Sequence, residues 1–120
     1  MSAIKVYHYD NCGTCRKARK WLDAQGIAHT LVPIREQPPT KAELARVLKA
    51  SGGELRRLFN TSGGDYKAMN MKAVLPRLSV DEALDLLAQH GNLVKRPLVV
   101  GNGVALAGFD EDAWRTAFGI

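Results

Sequence analysis

The 120-residue chain has few cysteines and few histidines: two of the first, Cys12 and Cys15, and three of the second. A lone cysteine pair in a chain read as cytosolic points to catalysis, redox chemistry or metal binding rather than to a structural staple. A zinc site needs about four ligands, and His8, His29 and His90 stand at no ligand spacing, so no metal is expected. No apolar run reaches the roughly 18 residues of a membrane helix. The opening "MSAIKVYHYDN" lacks the basic-then-apolar layout of a signal peptide. The expectation is a cytoplasmic protein with no membrane partner. Aromatic residues are scarce at 7%, and the chain has no repeat and no low-complexity stretch.

What the chain does have is a positive balance of +5, densest in "RKARK" at 16–20. Only Trp21 flanks that run, so stacking platforms for bases are few and no direct nucleic-acid contact is expected. The run reads either as a solvated helix face or as a field that draws anions and favours a thiolate. With 46% hydrophobic and 24% charged residues, the composition is that of a globular domain, and its length suits one domain over 1–120.

Periodicity sets the organisation. "IKVYHY" (4–9) reads as a strand, "GTCRKARKWLDAQG" (13–26) as a helix with Cys15, Ala18 and Leu22 on one face, and "AHTLVPI" (28–34) as a second strand. Gly26 is a natural helix stop. The result is a βαβ unit of about thirty residues. Residues 39–91 read as a helical insertion. Capping boxes at Thr40/Glu43 and Ser79/Glu82 open its two long helices. Leu44, Val47 and Leu48 form the stripe of the first, and Ala83, Leu84 and Leu87 that of the second. Between them lie one or two short helices broken by Gly63, Gly64 and Pro76. "RPLVV" (96–100) and "VALAGF" (104–109) then flank the turn "GNG", and Asp110 caps a last helix with Ala113, Trp114, Ala117 and Phe118 inward. The expected class is α/β: βαβ…ββα on a four-stranded mixed sheet with a helical insertion.

Cys12 falls at the start of a helix, where unsatisfied N–H groups favour a thiolate. Arg16 and Lys17 add positive charge one turn on. Such surroundings lower a cysteine pKa from about 8.5 into the range of roughly 3.5 to 7.5. Cys15, one turn later on the same face, can reach the Cys12 sulfur. The spacing suits attack by Cys12 and resolution by Cys15; half of a metal site and an inert buried pair are the competing readings. Asn11 is placed to cap the helix. Thr14 can donate its hydroxyl to a thiolate, and His8 can tune the sulfur or simply face one side of the sheet.

The stretch "YDNCGTCRKARKWLDAQGI", with "LVKRPLVV" and "AGF", resembles the arsenate reductase/Spx family of thioredoxin-like proteins over nearly the whole chain. "FNTSGGDY" and "LLAQHGNLVKRP" resemble its arsenate-reductase-related members. The resemblance implies a thioredoxin-like fold, Cys12 as nucleophile, Pro97 in a cis peptide facing it, and Arg96 as an anion-binding residue. It also implies no bound cofactor. An external thiol, glutathione or a protein thiol, would supply the electrons. Asn60 and Leu106 stand where those reductases carry further arginines, with Arg56 and Arg57 close to the first. Cys15 is the second cysteine of the Spx branch, whose members bind the C-terminal domain of the RNA polymerase α-subunit. A glycine in the insertion helps that contact, and Gly52 or Gly53 falls in the matching region, where the pair also reads as a plain helix stop.

Overall fold

Side-chain alternation along the strands sorts the apolar residues into two cores, one on each face of the sheet. In β1 (Ile4–His8), Ile4 and Val6 belong to one buried cluster and Tyr7 to the other. In β3 (Leu98–Gly101), Val99 goes with the first and Leu98 and Val100 with the second. This period of two is the signature of strands buried on both faces. β2 (His29–Pro33) runs parallel to β1, with Val6 opposite Leu31. β3 runs antiparallel to β1, with Val6 opposite Val99, and β4 (Val104–Ala107) is antiparallel to β3. The order β2-β1-β3-β4 is the expected four-stranded mixed sheet. The computed structural model describes residues 4–120; residues 1–3, the first part of the segment read for a leader, lie outside the described residues.

Helices α1 (Gly13–Ala24) and α6 (Glu111–Phe118) cover one face. Their core is aromatic. Trp114 is buried, donates its indole N–H to the Gly108 carbonyl at 3.0 Å, and meets Phe109 edge-on at 4.8 Å and Trp21 at 5.8 Å. Trp21 is therefore a core residue, not a surface platform. The inner face of α6 is narrower than its sequence suggests. Trp114 and Phe118 face in, but Ala113 and Ala117 are exposed, because an eight-residue helix packed by two large rings leaves its alanines at the margins. In the β3–β4 hairpin, Asn102 and Gly103 both have positive φ (50° and 78°), which a two-residue type I′ turn requires.

The insertion covers the other face. α2 (Lys41–Ala50) and α5 (Val80–Gln89) begin at the two capping boxes and pack on each other, and α2 also lies against β4. Lys41 bridges to Asp81 and Asp85 across that helix pair. Between them, α3 (Gly64–Ala68) and α4 (Met71–Val74) are separated by Asn70 in the left-handed region (φ 52°). The expected breakers act differently: Gly63 is the N-cap of α3, and Pro76 sits in a 3-10 turn that continues from α4. Proline costs little there, because a helix start lacks the N–H partner anyway. Gly52 and Gly53, with φ of 76° and 83°, close α2, and the Gly53 amide returns to the Leu48 carbonyl at 2.9 Å. Among the described residues no helix is long and apolar enough to cross a membrane.

One buried carboxylate stitches the insertion to the sheet. Glu43 accepts from the Thr40 amide at 2.9 Å, from the Tyr7 hydroxyl at 2.7 Å and from Lys5 at 3.2 Å. Burial raises its pKa, but those three donors outweigh burial and hold it below its ordinary 4.5. Burial and the neighbouring carboxylate push the Tyr7 hydroxyl well above its usual range, so it remains a donor. Glu43→Ala leaves that hydroxyl unpaired and is expected to cost about 1–3 kcal/mol in urea denaturation. A group whose folded pKa is depressed stabilises fully above its unfolded pKa and loses that contribution as pH falls through the folded value. Wild-type stability should therefore drop as pH falls from 4.5, and Glu43→Ala should flatten that drop.

Candidate active site

The parallel strand β1 and the antiparallel strand β3 bring two distant segments to one edge of the sheet. The C-terminal end of β1 leads through Tyr9 to the cysteine loop, and the N-terminal end of β3 is preceded by Arg96 and Pro97. The Arg96–Pro97 peptide is cis and Pro97 is buried, with its carbonyl taken by the Gly108 amide at 2.8 Å. The Cys12 amide bonds the Tyr9 carbonyl at 3.0 Å, which closes the turn before α1.

Cys12 itself, not Asn11, is the N-cap of α1. Its sulfur accepts from the Cys15 amide at 3.3 Å and thus fills the capping role that a side-chain oxygen usually fills. Asn11 is exposed and donates to the Tyr9 hydroxyl at 3.4 Å. Thr14 is exposed in the first turn, and the hydrogen bond to the sulfur comes from the Cys15 amide rather than from its hydroxyl. Arg16 is also exposed and donates to the Asp10 carbonyl at 3.2 Å. The cation that acts on Cys12 is Arg96, not Arg16.

The two thiols, both free, lie in opposed environments. Burial raises the Cys12 pKa, but hydrogen bonds from the Cys15 thiol and amide, with the charge and hydrogen bond of Arg96, outweigh it and bring the pKa below the ordinary value. Cys15 is fully buried. Burial first, then its hydrogen bond to Cys12 and the Cys12 charge, push it up to about 12, against the pull of the Tyr9 backbone and Arg96. The arrangement favours the charged form of Cys12 and keeps the proton on Cys15, which donates to it. His8 is buried, and the groups that act on the Cys12 sulfur do not include it. Burial, with the charge of Arg19, lowers its pKa against the pull of Asp10, so it is neutral. Among the described residues no group of three potential ligands could hold a metal ion.

Arg96, which acts on the Cys12 sulfur, also lines a small polar cavity of about 200 Å³ together with Tyr9, Arg35, Asn60, Asp65 and Asn92, with Gly63 and Gly64. Both guanidinium groups approach the Tyr9 ring, Arg35 at 4.9 Å and Arg96 at 5.0 Å from its centroid. Arg35 also donates to the Tyr9 hydroxyl at 2.9 Å. The pocket depends on close backbone contacts. Hydrogen bonds of 2.7 Å, Asn60 amide to Leu93 carbonyl and Lys95 amide to Leu58 carbonyl, join the two segments that carry Asn60 and Arg96. Gly91 lets the turn bearing Asn92 lie on β2's end: a Cβ there would stand 1.8 Å from the Ile34 carbonyl oxygen.

Arg35 is the functional candidate that sequence reasoning missed. It follows β2 at the carboxyl edge of the two parallel strands, where crevices in open α/β sheets lie, and that position is the signal that could have found it. Arg56 and Arg57 do not enter this pocket; they line a separate cavity of about 560 Å³ with Lys95 and Asp110. Leu106 packs against the aromatic core.

The sequence profile of the ArsC family matches residues 7–117. The chain belongs to the ArsC family. Among ArsC-family relatives, it is 46% identical to the uncharacterised protein YusI of Bacillus subtilis over 92% of this chain and 93% of that one. It is 30% identical to an arsenate reductase of Escherichia coli (83% and 70% covered) and 28% identical to the regulatory protein MgsR of B. subtilis (89% and 83%). The crystal structure of an ArsC-family-related protein from Bacteroides fragilis superimposes with a TM-score of 0.87 at 38% identity, over 97% of this chain and 99% of that one. The fold is thus the thioredoxin-like fold of the ArsC proteins.

The opposed thiol environments are open to direct titration. Alkylation with iodoacetamide, followed by peptide mapping, should modify Cys12 with a midpoint below that of a free thiol and leave Cys15 unmodified until the protein unfolds. Arg96→Met should move the Cys12 midpoint upward and slow its reaction several-fold at pH 7. An unchanged midpoint would remove Arg96 from the account.

Proposed function

We propose that this chain is a thiol–disulfide oxidoreductase, with Cys12 as nucleophile and either Cys15 or an external thiol such as glutathione as the resolving group. The observation that supports it most is the pairing of a half-buried, thiolate-favouring sulfur with a fully buried, protonated one three residues on. In the first step the Cys12 thiolate attacks one sulfur of a substrate disulfide. The Cys12–substrate S–S bond forms as the substrate's own S–S bond breaks, and the departing thiolate takes a proton from solvent. Cys15 then gives its proton to solvent and attacks the Cys12 sulfur. The second substrate thiolate leaves and is protonated, and a Cys12–Cys15 disulfide remains. Two equivalents of external thiol, oxidised together to their own disulfide, return both cysteines to thiols.

The high pKa of Cys15 suits this sequence. Part of it comes from the hydrogen bond to Cys12 and the charge there. Both disappear once Cys12 is bonded to substrate, so Cys15 loses its proton more readily at the stage where it must attack. Arg96 holds the Cys12 thiolate through its charge and a hydrogen bond. The chemistry calls for a reducing compartment such as the cytoplasm, where small thiols are abundant.

A second reading draws on the 28% identity to a regulatory protein. In it, the same cysteine pair is a redox switch, and the oxidised form docks, without turnover, on the C-terminal domain of the RNA polymerase α-subunit. Reduction of hydroxyethyl disulfide by glutathione separates the two readings. Cys12→Ser is expected to lose activity by roughly a hundredfold or more, as when a nucleophile is removed outright. Cys15→Ser should continue with excess glutathione and accumulate a Cys12 mixed disulfide visible by mass spectrometry. Wild-type protein with no turnover but oxidant-dependent binding to the polymerase domain would decide for the regulator.

A further inference from the structure

The pocket that shares Arg96 with Cys12 holds charges of both signs that the fold itself leaves unpaired. Arg35, Arg96 and Asp65 line one cavity, yet among the described residues none of the three belongs to an ion pair. Arg96 is engaged with the Cys12 sulfur, whose charged form it stabilises through its charge and a hydrogen bond. One guanidinium, Arg35, and one carboxylate, Asp65, remain for whatever fills the space.

A ligand with one negative and one positive group matches that remainder. A compact polyanion does not, since Asp65 would repel its extra charge. Size narrows the choice further. About 200 Å³ falls below the roughly 300–1,000 Å³ of a site for a drug-sized molecule. It is the room of about seven waters at roughly 30 Å³ each, enough for one amino-acid-sized end. The amides of Asn60 and Asn92 offer both donors and acceptors to such a group. The Tyr9 ring and hydroxyl hold Arg35 in place at the wall, so little side-chain freedom is lost when a carboxylate docks.

We propose that this pocket binds the α-amino-acid end of the small thiol that reduces Cys12, with Arg35 taking its carboxylate and Asp65 its ammonium. The assignment rests on the oxidoreductase reading for the identity of the thiol, but the recognition itself is testable without turnover. The probe is S-methylglutathione, a thioether that carries an α-amino-acid end and cannot exchange, titrated calorimetrically into the reduced protein. The comparison ligand is its N-acetylated form, which lacks the ammonium.

Wild-type protein should bind S-methylglutathione saturably. Asp65→Asn and Arg35→Met should each weaken it on the order of tenfold, the scale of one lost charge-assisted hydrogen bond. Both side chains are exposed, so neither variant threatens the core. The N-acetylated ligand should bind wild-type protein about tenfold more weakly than the parent, and it should bind Asp65→Asn with the same affinity as wild type. Equal binding of the two ligands by wild type, or a parent affinity untouched by Asp65→Asn, would overturn the proposal. If S-methylglutathione binds as described but hydroxyethyl disulfide is never reduced, the pocket assignment stands and the oxidoreductase reading falls. If disulfide reduction proceeds but S-methylglutathione does not bind, the pocket assignment falls and the oxidoreductase reading stands.

Discussion

One sulfur is held by the first turn of a helix, and much of the molecule is arranged around that contact. The Cys12 Sγ accepts the Cys15 amide at 3.3 Å in the place where a serine or aspartate oxygen would cap a helix. A thiolate makes a better acceptor there than a thiol, so the capping geometry itself favours the charged form. The Cys12 amide is tied to Tyr9, Tyr9 is fixed at the end of β1, and β1 is paired on both sides. The Cys12 sulfur is therefore anchored just past the end of a central strand of the sheet, with little freedom to drift from Arg96.

The second cysteine shows how three residues can separate two chemistries. Cys15 is one helical turn along, on the face that packs with Ala18 and Leu22 into the core. Its burial keeps the proton on, and that proton donates back to Cys12. The pair is one acid–base unit, in which the stability of one sulfur's charge depends on the other's lack of it.

Polar contacts also hold the insertion against the sheet. Glu43 caps α2 while accepting from Lys5 and Tyr7 on β1, and Gly91 permits a backbone approach that any side chain would block. With the insertion held there, Asn60, Asp65 and Asn92 line one cavity with Arg35 and Arg96. The resulting pocket differs from one lined by arginines alone, because a carboxylate and two amides share its walls. Arg56 and Arg57, one turn of chain away from Asn60, open onto another cavity.

Local sequence was enough for much of this. Alternating apolar residues define the strands, the two Thr/Ser-to-Glu capping boxes start the long helices, and Asn-Gly makes the hairpin turn, because each depends on contacts within a few residues. The placement of Cys12 at a helix start and the order βαβ…ββα were legible for the same reason. Tertiary structure decided what depends on distant segments meeting. The cation beside Cys12 is Arg96, reached through strand pairing, and not the sequence neighbour Arg16. Trp21 is core because α6 folds back over α1 with Trp114 and Phe118. Arg35 joins the site because β2 lies parallel to β1 and ends at the same edge. A local pattern fixes the direction of a side chain relative to its own helix or strand. Which charge it meets is set by packing, through distances that only the folded chain defines.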